Sequence, residues 1–491
     1  MNFKKYFLYA LLIKAVLFFA FVFSFNKDHK DRNINYIFHY TSDYKSYIMP
    51  AVNLIDLGTM YEGEGQPEKK LYAHKMPGLV PIFAPLYYFF GFSWGISFFV
   101  IIQFSIDALC CVLLGKIALR IFNDKRAFYI AFFLYAFSSI VSVSTHFAVS
   151  ELFCTSFCIL AVYFILFGKN KRNLLLAGLF ATWAIFLRPM SILLLFCLPL
   201  FLALDQDQKF SFKQLFKNRV SVLLVLLPFT IFESLWIARN FKVMKAFVPA
   251  ETVMQTFGTP GMKAIFSMLL DMGGDLQSWN PDSEMLWFCS YPGAQLYNKE
   301  YADSNPFQPN LAKAGIQLQE LRFLRSMYGM YCDSAVPQAT KQQLESGIIL
   351  VSKSISIRFK TNAPFYHHVV APLRTLKTLV FIKRPYGFVF ATNGLLEKGI
   401  RRWHFICYYL PLILFFPVFF RAVRKKNNQI LIVAFFVFLH VFAYGFILRL
   451  SENRYLVPVY PFLILGAVAT IIYINQFFVQ RRLKFDEPLE K

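Results

Sequence analysis

The sequence predicts an all-α, polytopic membrane protein, and three observations carry that prediction. Of its 491 residues 57% are hydrophobic and only 16% are charged, against roughly a quarter charged in soluble domains. Sixty Phe and 26 Tyr suit a surface that faces lipid, with rings settling at the membrane–water boundary. Apolar runs approaching the about 20 residues of a spanning helix recur ten times, at 6–25, 94–119, 127–143, 152–167, 174–187, 190–204, 220–237, 405–420, 430–448 and 456–473.

The first run is longer than the apolar stretch of a secretory signal and lacks a small-residue cleavage site before Asn26, so it is a retained helix. The fifth and sixth runs part at Arg188-Pro189, because proline disfavours helical geometry in the residue before it. Six basic clusters, at Lys4-Lys5, Lys116/Arg120/Lys125/Arg126, Lys169/Lys171/Arg172, Lys209/Lys213/Lys217/Arg219, Arg421/Arg424/Lys425/Lys426 and Arg481/Arg482/Lys484, share one side if ten crossings alternate. Positive loops are retained in the cytoplasm, which places both termini inside. The outer side then receives the loop 26–91, the turn at 146–151, a long region at 238–402 and the turn at 449–455.

The chain therefore divides into an N-terminal membrane module at 1–237, an outer region at 238–402, and C-terminal helices with a short tail at 403–491. The first outer loop has amphipathic helical character. The long outer region carries amphipathic stretches at 312–331, 341–359 and 366–382 among turns such as Asn280-Pro281 and Asn305-Pro306, and is read as a mostly helical cover.

Several classes are excluded. The net charge of +23 is scattered between apolar runs instead of gathered on one face, so nucleic acid is not a partner. There is no GxxxxGK[ST] loop, no GxGxxG after a strand and no HExxH. Every cytoplasmic loop is too short for a nucleotide-sugar-binding domain. Of the eight cysteines, Cys110, Cys111, Cys154, Cys158, Cys197 and Cys407 sit in apolar runs as small packing residues. Cys289 and Cys332 lie in the long polar region and are free to form a disulfide if it is outside the cytosol.

The most informative stretch is 42–86, which sets the acid Asp43 and the base Lys75 in a loop that hugs the membrane. A carboxylate and a cation held there are what is needed to activate a hydroxyl and to stabilise a phosphate leaving group. The ordinary readings are a solvated acid or helix cap for Asp43, as for Asp28, Asp31 and Asp56, and interfacial snorkelling for Lys75. Arg188 is costly inside a membrane and is a site candidate by default, or else pairs with Glu233 or another acid. His146 and Glu151 lie in the second outer turn, on the acceptor side or as structural groups, and with only two ligands a divalent metal there is weakly supported. His367-His368 reads as surface polarity. Gln103 and Asp107, one helical turn apart, suit interhelical hydrogen bonds, and Lys14 pairs or snorkels.

The patterns Asp43-x3-Tyr47-x3-Ala51, Leu57-Gly58-x-x-Tyr61 and Lys75-x-Pro77-Gly78 resemble the first outer loop of GT-C glycosyltransferases, which use sugar linked to a polyprenyl phosphate. Leu187-Arg188-Pro189, Trp236-x-x-Arg239-Asn240 and Arg454-Tyr455-x-x-Pro458 extend the resemblance over nearly the whole membrane portion. The closer resemblance is to protein O-mannosyltransferases, the lipid A aminoarabinose transferase and their bacterial relatives. It implies an enzyme of the bacterial cytoplasmic (inner) membrane that transfers a sugar, with inversion, to a periplasmic protein, lipid or glycan and requires no cofactor. It implies Asp43 as base, Lys75, Arg454, Arg239 and Tyr455 as donor-phosphate ligands, and Tyr47 beside them. Those relatives tend to carry an Asp-Glu pair where this chain has Asp43-Tyr44, so their acceptor does not transfer. The rival readings are a polysaccharide polymerase or ligase with a polyprenyl-diphosphate donor, and a lipid or sugar transporter, which should show repeat symmetry.

Overall fold

The computed structural model describes residues 2–28, 43–63, 71–168, 170–204, 209–252, 259–277, 283–294, 299, 303–307, 309–381, 394–425 and 427–485. The turn at Asn280-Pro281, Asp31, Lys169 and Lys426 lie outside them, as do the side chains of Asp28, Arg421, Arg424, Lys425, Arg481, Arg482 and Lys484. The chain forms two compact units, one of residues 1–252, 389–440 and 456–491, the other of 253–388 and 441–455. Residues 441–455 thus pack with the middle of the chain although they lie between C-terminal membrane helices in sequence.

The first unit contains α1 (Phe3–Asp28), α2 (Tyr44–Leu57), α3 (Val80–Phe122), α4 (Lys125–Ala136), α5 (Glu151–Phe167), α6 (Lys171–Leu187), α7 (Ile192–Leu202) and α8 (Arg219–Met244). Each of the ten apolar runs falls on a helix. Among the described residues six helices are long and apolar enough to cross a membrane: Phe3–Phe23, Val80–Phe122, Lys125–His146, Arg219–Met244, Asn428–Leu448 and Asn453–Gln476. Glu151–Phe167 and Pro189–Leu202 are apolar but shorter.

The 43 residues of α3 exceed what a bilayer requires at about 1.5 Å per residue, and the helix is broken at Gly91. That residue has φ +70°, a conformation a side chain disfavours. Residues 80–90 are therefore the helical end of the loop between the first two membrane helices, and the spanning part begins beyond the kink. At the loop's other end α2 buries Tyr47, Ile48, Ala51, Val52 and Asn53 and packs on α3, the amphipathic helix the sequence predicted.

Inside the helical layer Lys14 does not snorkel. Its Nζ lies 3.0 Å from Asp107 Oδ2, with both side chains 1% exposed. It also donates to Ser142 Oγ at 2.6 Å and to the Tyr135 carbonyl at 3.0 Å, and Ser142 in turn donates to Asp107 Oδ2 at 2.9 Å. Gln103 donates to the carbonyls of Ser144 and Phe147, both at 3.1 Å. Helices α1 and α3 are so tied to the turn after α4 by groups that have no water to fall back on.

The second unit is built from α9 (Pro260–Met272), a short helix Glu284–Cys289, α10 (Leu318–Cys332), α11 (Gln338–Asn362) and α12 (Ala371–Val380). Met268, Leu269, Trp287, Phe288, Leu321, Leu324, Ile348 and Ile355 form its core. The predicted amphipathic stretches at 312–331, 341–359 and 366–382 coincide with α10, α11 and the segment around α12. Asp271 gathers Lys360 at 2.8 Å, the Ser356 hydroxyl, and Arg449 at 3.8 Å. His367 is not surface polarity: it is buried, its Nδ1 3.1 Å from the Asp271 carbonyl and 3.1 Å from Arg449 Nη1. Two adjacent histidines on a helix point in different directions, so one can face a core while the other, His368, stays exposed. Cys289 and Cys332 are both free thiols in this structure, so the disulfide open to them is not formed.

Helices α13 (Leu395–Lys425), α14 (Asn428–Phe442) and α15 (Tyr460–Phe485) complete the chain. Within the first unit α15 packs on α13 and α4, and the Tyr460 hydroxyl donates to the Cys407 carbonyl at 2.7 Å while accepting from Ser138 at 2.8 Å.

Candidate active site

The loop between α2 and α3 is shaped by backbone contacts before any side chain is considered. Glu62 and Leu71 exchange N–H···O bonds at 3.0 and 3.1 Å. The Pro77–Gly78 turn then docks on the C-terminal end of α6, where Gly78 N–H donates to the Phe186 carbonyl at 3.1 Å and Trp183 Nε1 donates to the Gly78 carbonyl at 3.0 Å. A Cβ on Gly78 would lie 2.5 Å from Phe186 O and 2.7 Å from Leu187 N, so only glycine permits that approach. Ala73 and Met76 pack with Phe186 and Trp236, and Thr252 N–H donates to the Ala73 carbonyl at 2.8 Å. The motif Lys75-x-Pro77-Gly78 is thus a docking device that presents Lys75.

Asp43 stands at the N-cap of α2, yet its carboxylate makes no capping hydrogen bond, so the helix-cap reading fails. Lys75 Nζ lies 5.5 Å above the Tyr47 ring and 3.9 Å from Glu251 Oε2; it is held among partners and is not trailing along a lipid surface. The Tyr47 hydroxyl accepts from buried Ser150 at 3.3 Å. Two residues that sequence reasoning missed stand between Asp43 and Lys75. Glu62 accepts from Ser46 Oγ at 2.7 Å, and His74 Nε2 is 3.5 Å from the other Glu62 oxygen. Burial raises the Glu62 carboxyl above its ordinary range, with Asp43's charge adding to it and Ser46 and Lys75 opposing. Burial, then the charge of Lys75, pushes the His74 imidazole down to about 4 against a smaller pull from Asp43. Around neutral pH His74 is therefore uncharged. The signal for His74 was its place beside Lys75, whereas Glu251 lies far along the chain with nothing in the sequence to link it.

Arg239 holds the loop together. Its guanidinium donates to the Tyr72 carbonyl at 2.6 Å, to the Met60 carbonyl and to Asn240 Oδ1 at 2.8 Å, and it stacks 5.1 Å from the Trp236 ring. These donors close both limbs of the loop. Arg239→Met should raise amide hydrogen exchange across residues 71–78 by roughly 30-fold or more, since each charged hydrogen bond is worth about 1.5–3 kcal/mol. Mass-spectrometric exchange on the full chain checks this, and Arg239→Lys should not restore protection because lysine lacks the planar fork.

Arg188 pairs with Glu151, not Glu233; both side chains are buried, at 9% and 3% exposure. His146 is fully buried, stacked 4.3 Å from the Phe18 ring and edge-on to Phe21. Of the two readings open for these residues, their burial fits the structural one. Asp56 accepts from the Tyr87 hydroxyl at 2.8 Å, an ordinary loop contact. Arg454 and Tyr455 belong to the second unit, where Arg454 Nε is 2.7 Å from Glu452 Oε1 and Tyr455 stacks on Tyr444 at 4.7 Å. Among the described residues no group of three His, Cys, Asp or Glu is placed to hold a metal ion.

No curated protein sequence matches the chain. Among solved structures, the archaeal oligosaccharyltransferase AglB from Archaeoglobus fulgidus, in complex with an inhibitory peptide and a dolichol-phosphate, aligns with all of this chain at 13% identity and a TM-score of 0.43. The chain covers 53% of that protein, about half its length. ArnT from Cupriavidus metallidurans bound to undecaprenyl phosphate aligns with 94% of this chain and 77% of its own, at 14% identity and a TM-score of 0.33. Residues 82–236, which include the end of α6 where the Lys75 loop docks and Trp236 beneath Arg239, match the family of dolichyl-phosphate-mannose-protein mannosyltransferases, and over that stretch the chain is similar to those enzymes.

Proposed function

We infer that the protein is an integral-membrane glycosyltransferase that moves a sugar from a polyprenyl-phosphate carrier to an acceptor on the outer, periplasmic face of the bacterial cytoplasmic membrane. The observation that carries this reading is one loop in which Lys75 lies over Tyr47, one helical turn from Asp43, docked through Pro77–Gly78 onto the segment similar to mannosyltransferases. An acceptor hydroxyl attacks the anomeric carbon while Asp43 takes its proton. The bond to the phosphate oxygen breaks, the carrier phosphate leaves with the electron pair, and the configuration inverts because a single displacement occurs. Lys75 supplies the cation that stabilises the charge growing on that phosphate. Arg454 and Tyr455 keep the donor-phosphate role that the resemblance implies. The acceptor is a protein, lipid or glycan, and the acceptor and donor bind from the membrane surface without a nucleotide.

Purified full chain in lipid nanodiscs, given a panel of radiolabelled undecaprenyl-phosphate sugars and an acceptor-containing envelope extract, should pass label to protein, lipid or glycan. Lys75→Gln should lower that transfer by about 10²–10³-fold, as removal of one electrostatic stabiliser does. Label that only crosses the bilayer of sealed liposomes, with none transferred, would establish transport instead.

A further inference from the structure

Glu62 is held more firmly than a loop acid requires. Besides its reciprocal bonds with Leu71, the Asn53 amide donates to the carbonyls on both sides of it, Tyr61 at 2.9 Å and Gly63 at 3.1 Å. Its backbone cannot turn, and the carboxylate it carries is only 18% exposed. Ser46, from the first turn of α2, fixes one oxygen at 2.7 Å, and His74 faces the other at 3.5 Å. Asp43 and Lys75 act on it through their charges. Asp43, His74 and Lys75 are the titratable groups that face it from α2 and from the loop's return limb.

The geometry points to Glu62 as a positioning residue for the transfer reaction, a fixed second carboxylate whose negative charge strengthens Asp43 as a base while Ser46 holds it in place. The inference rests on Asp43 being the base. Repulsion between two carboxylates is reciprocal, so each retains a proton more tightly while the other is ionised. A base that binds its proton more tightly takes the acceptor's proton more readily. His74, uncharged near neutrality, adds no cation that would cancel the effect, and Lys75 is countered by Glu251 at 3.9 Å. The direction with pH follows: once Glu62 is protonated on the acid side its charge vanishes, and Asp43 loses the added basicity.

Glu62→Gln imitates that neutral state at every pH and keeps an oxygen for Ser46. The test is carbon-13 NMR of the full chain labelled at the aspartate carboxyl, with the Asp43 signal identified by its loss in Asp43→Asn. In Glu62→Gln the Asp43 titration midpoint should fall by roughly half to one pH unit, and the acid limb of the transfer rate should move the same way with a plateau lowered about two- to fivefold. An unmoved Asp43 midpoint overturns the inference whatever the activity. A moved midpoint combined with undiminished transfer in Asp43→Asn overturns Asp43 as the base and leaves the electrostatic coupling standing, so the two failures are distinct.

Discussion

Asp43→Asn is expected to lower sugar transfer by about 10²–10⁴-fold, the range a positioned general base contributes, in a protein that folds as before. The second half of that expectation is as specific as the first. Asp43 is the N-cap residue of α2 and gives that helix no side-chain hydrogen bond, and asparagine is itself a favoured N-cap residue. The substitution therefore removes a charge without removing a side-chain cap of α2. What it removes chemically is the lone pair that accepts the acceptor proton, since an amide is not a base near neutral pH. Loss of transfer with an unchanged thermal midpoint in detergent is the expected pair of results. Substantial retained turnover would falsify the assignment, and a parallel loss of folding would show that Asp43 is structural. Asp56, bonded to Tyr87 on the exposed side of the same loop, is the internal control: Asp56→Asn should leave transfer within about twofold, as expected of a surface change worth less than 0.5 kcal/mol.

The membrane helices were legible because apolar runs of spanning length declare themselves by composition, and each of the ten runs is helical. Their exact ends were less so: α3 extends well before residue 94 because a helix can begin in a polar loop and continue through a glycine kink. In the candidate site, Asp43, Tyr47 and Lys75 were picked out by a short-range pattern, and the loop sets Lys75 over the Tyr47 ring. Glu62 and His74 were not, because what marks Glu62 is the exchange of hydrogen bonds with Leu71 and the reach of Asn53, neither of which has a compositional trace. The loop contacts of Arg239 were hidden as well. Its place at a helix end beside Trp236 suited a phosphate ligand, but a guanidinium has five donors, and only the folded loop reveals that carbonyls of Met60 and Tyr72 receive them. Arg188 was recognised as costly in a membrane; the acid that neutralises it, Glu151, stands at the start of the preceding helix, and sequence offered no means of choosing it over Glu233.

Replacing Lys14 by methionine, or Asp107 by leucine, is expected to destabilise the protein by about 3–5 kcal/mol each, whereas the double replacement should recover most of that loss. Removing one partner leaves the other charge buried without its counter-ion, and this costs more than the pair contributes. The geometry makes the case strong here. Lys14 and Asp107 are each 1% exposed, so neither can reach water by rotating a side chain. Ser142 donates to Asp107 and accepts from Lys14; with Lys14 gone it can still serve the carboxylate, which sets the milder limit for Lys14→Met. With Asp107 gone the ammonium keeps the Tyr135 and Ser138 carbonyls and the Ser142 hydroxyl as acceptors, none of them charged, so Asp107→Leu should be the more severe. In the double variant both charges disappear and two unbranched or branched apolar chains fill similar volumes between α1, α3 and the turn after α4. A double-mutant cycle read from denaturant unfolding in mixed micelles, with helical circular dichroism as the signal, measures the coupling directly. Additive single losses would mean that the two residues act through separate contacts, and the pair would not be what fastens α1, the helix before the loop that carries Asp43 and Lys75, to α3, the helix after it.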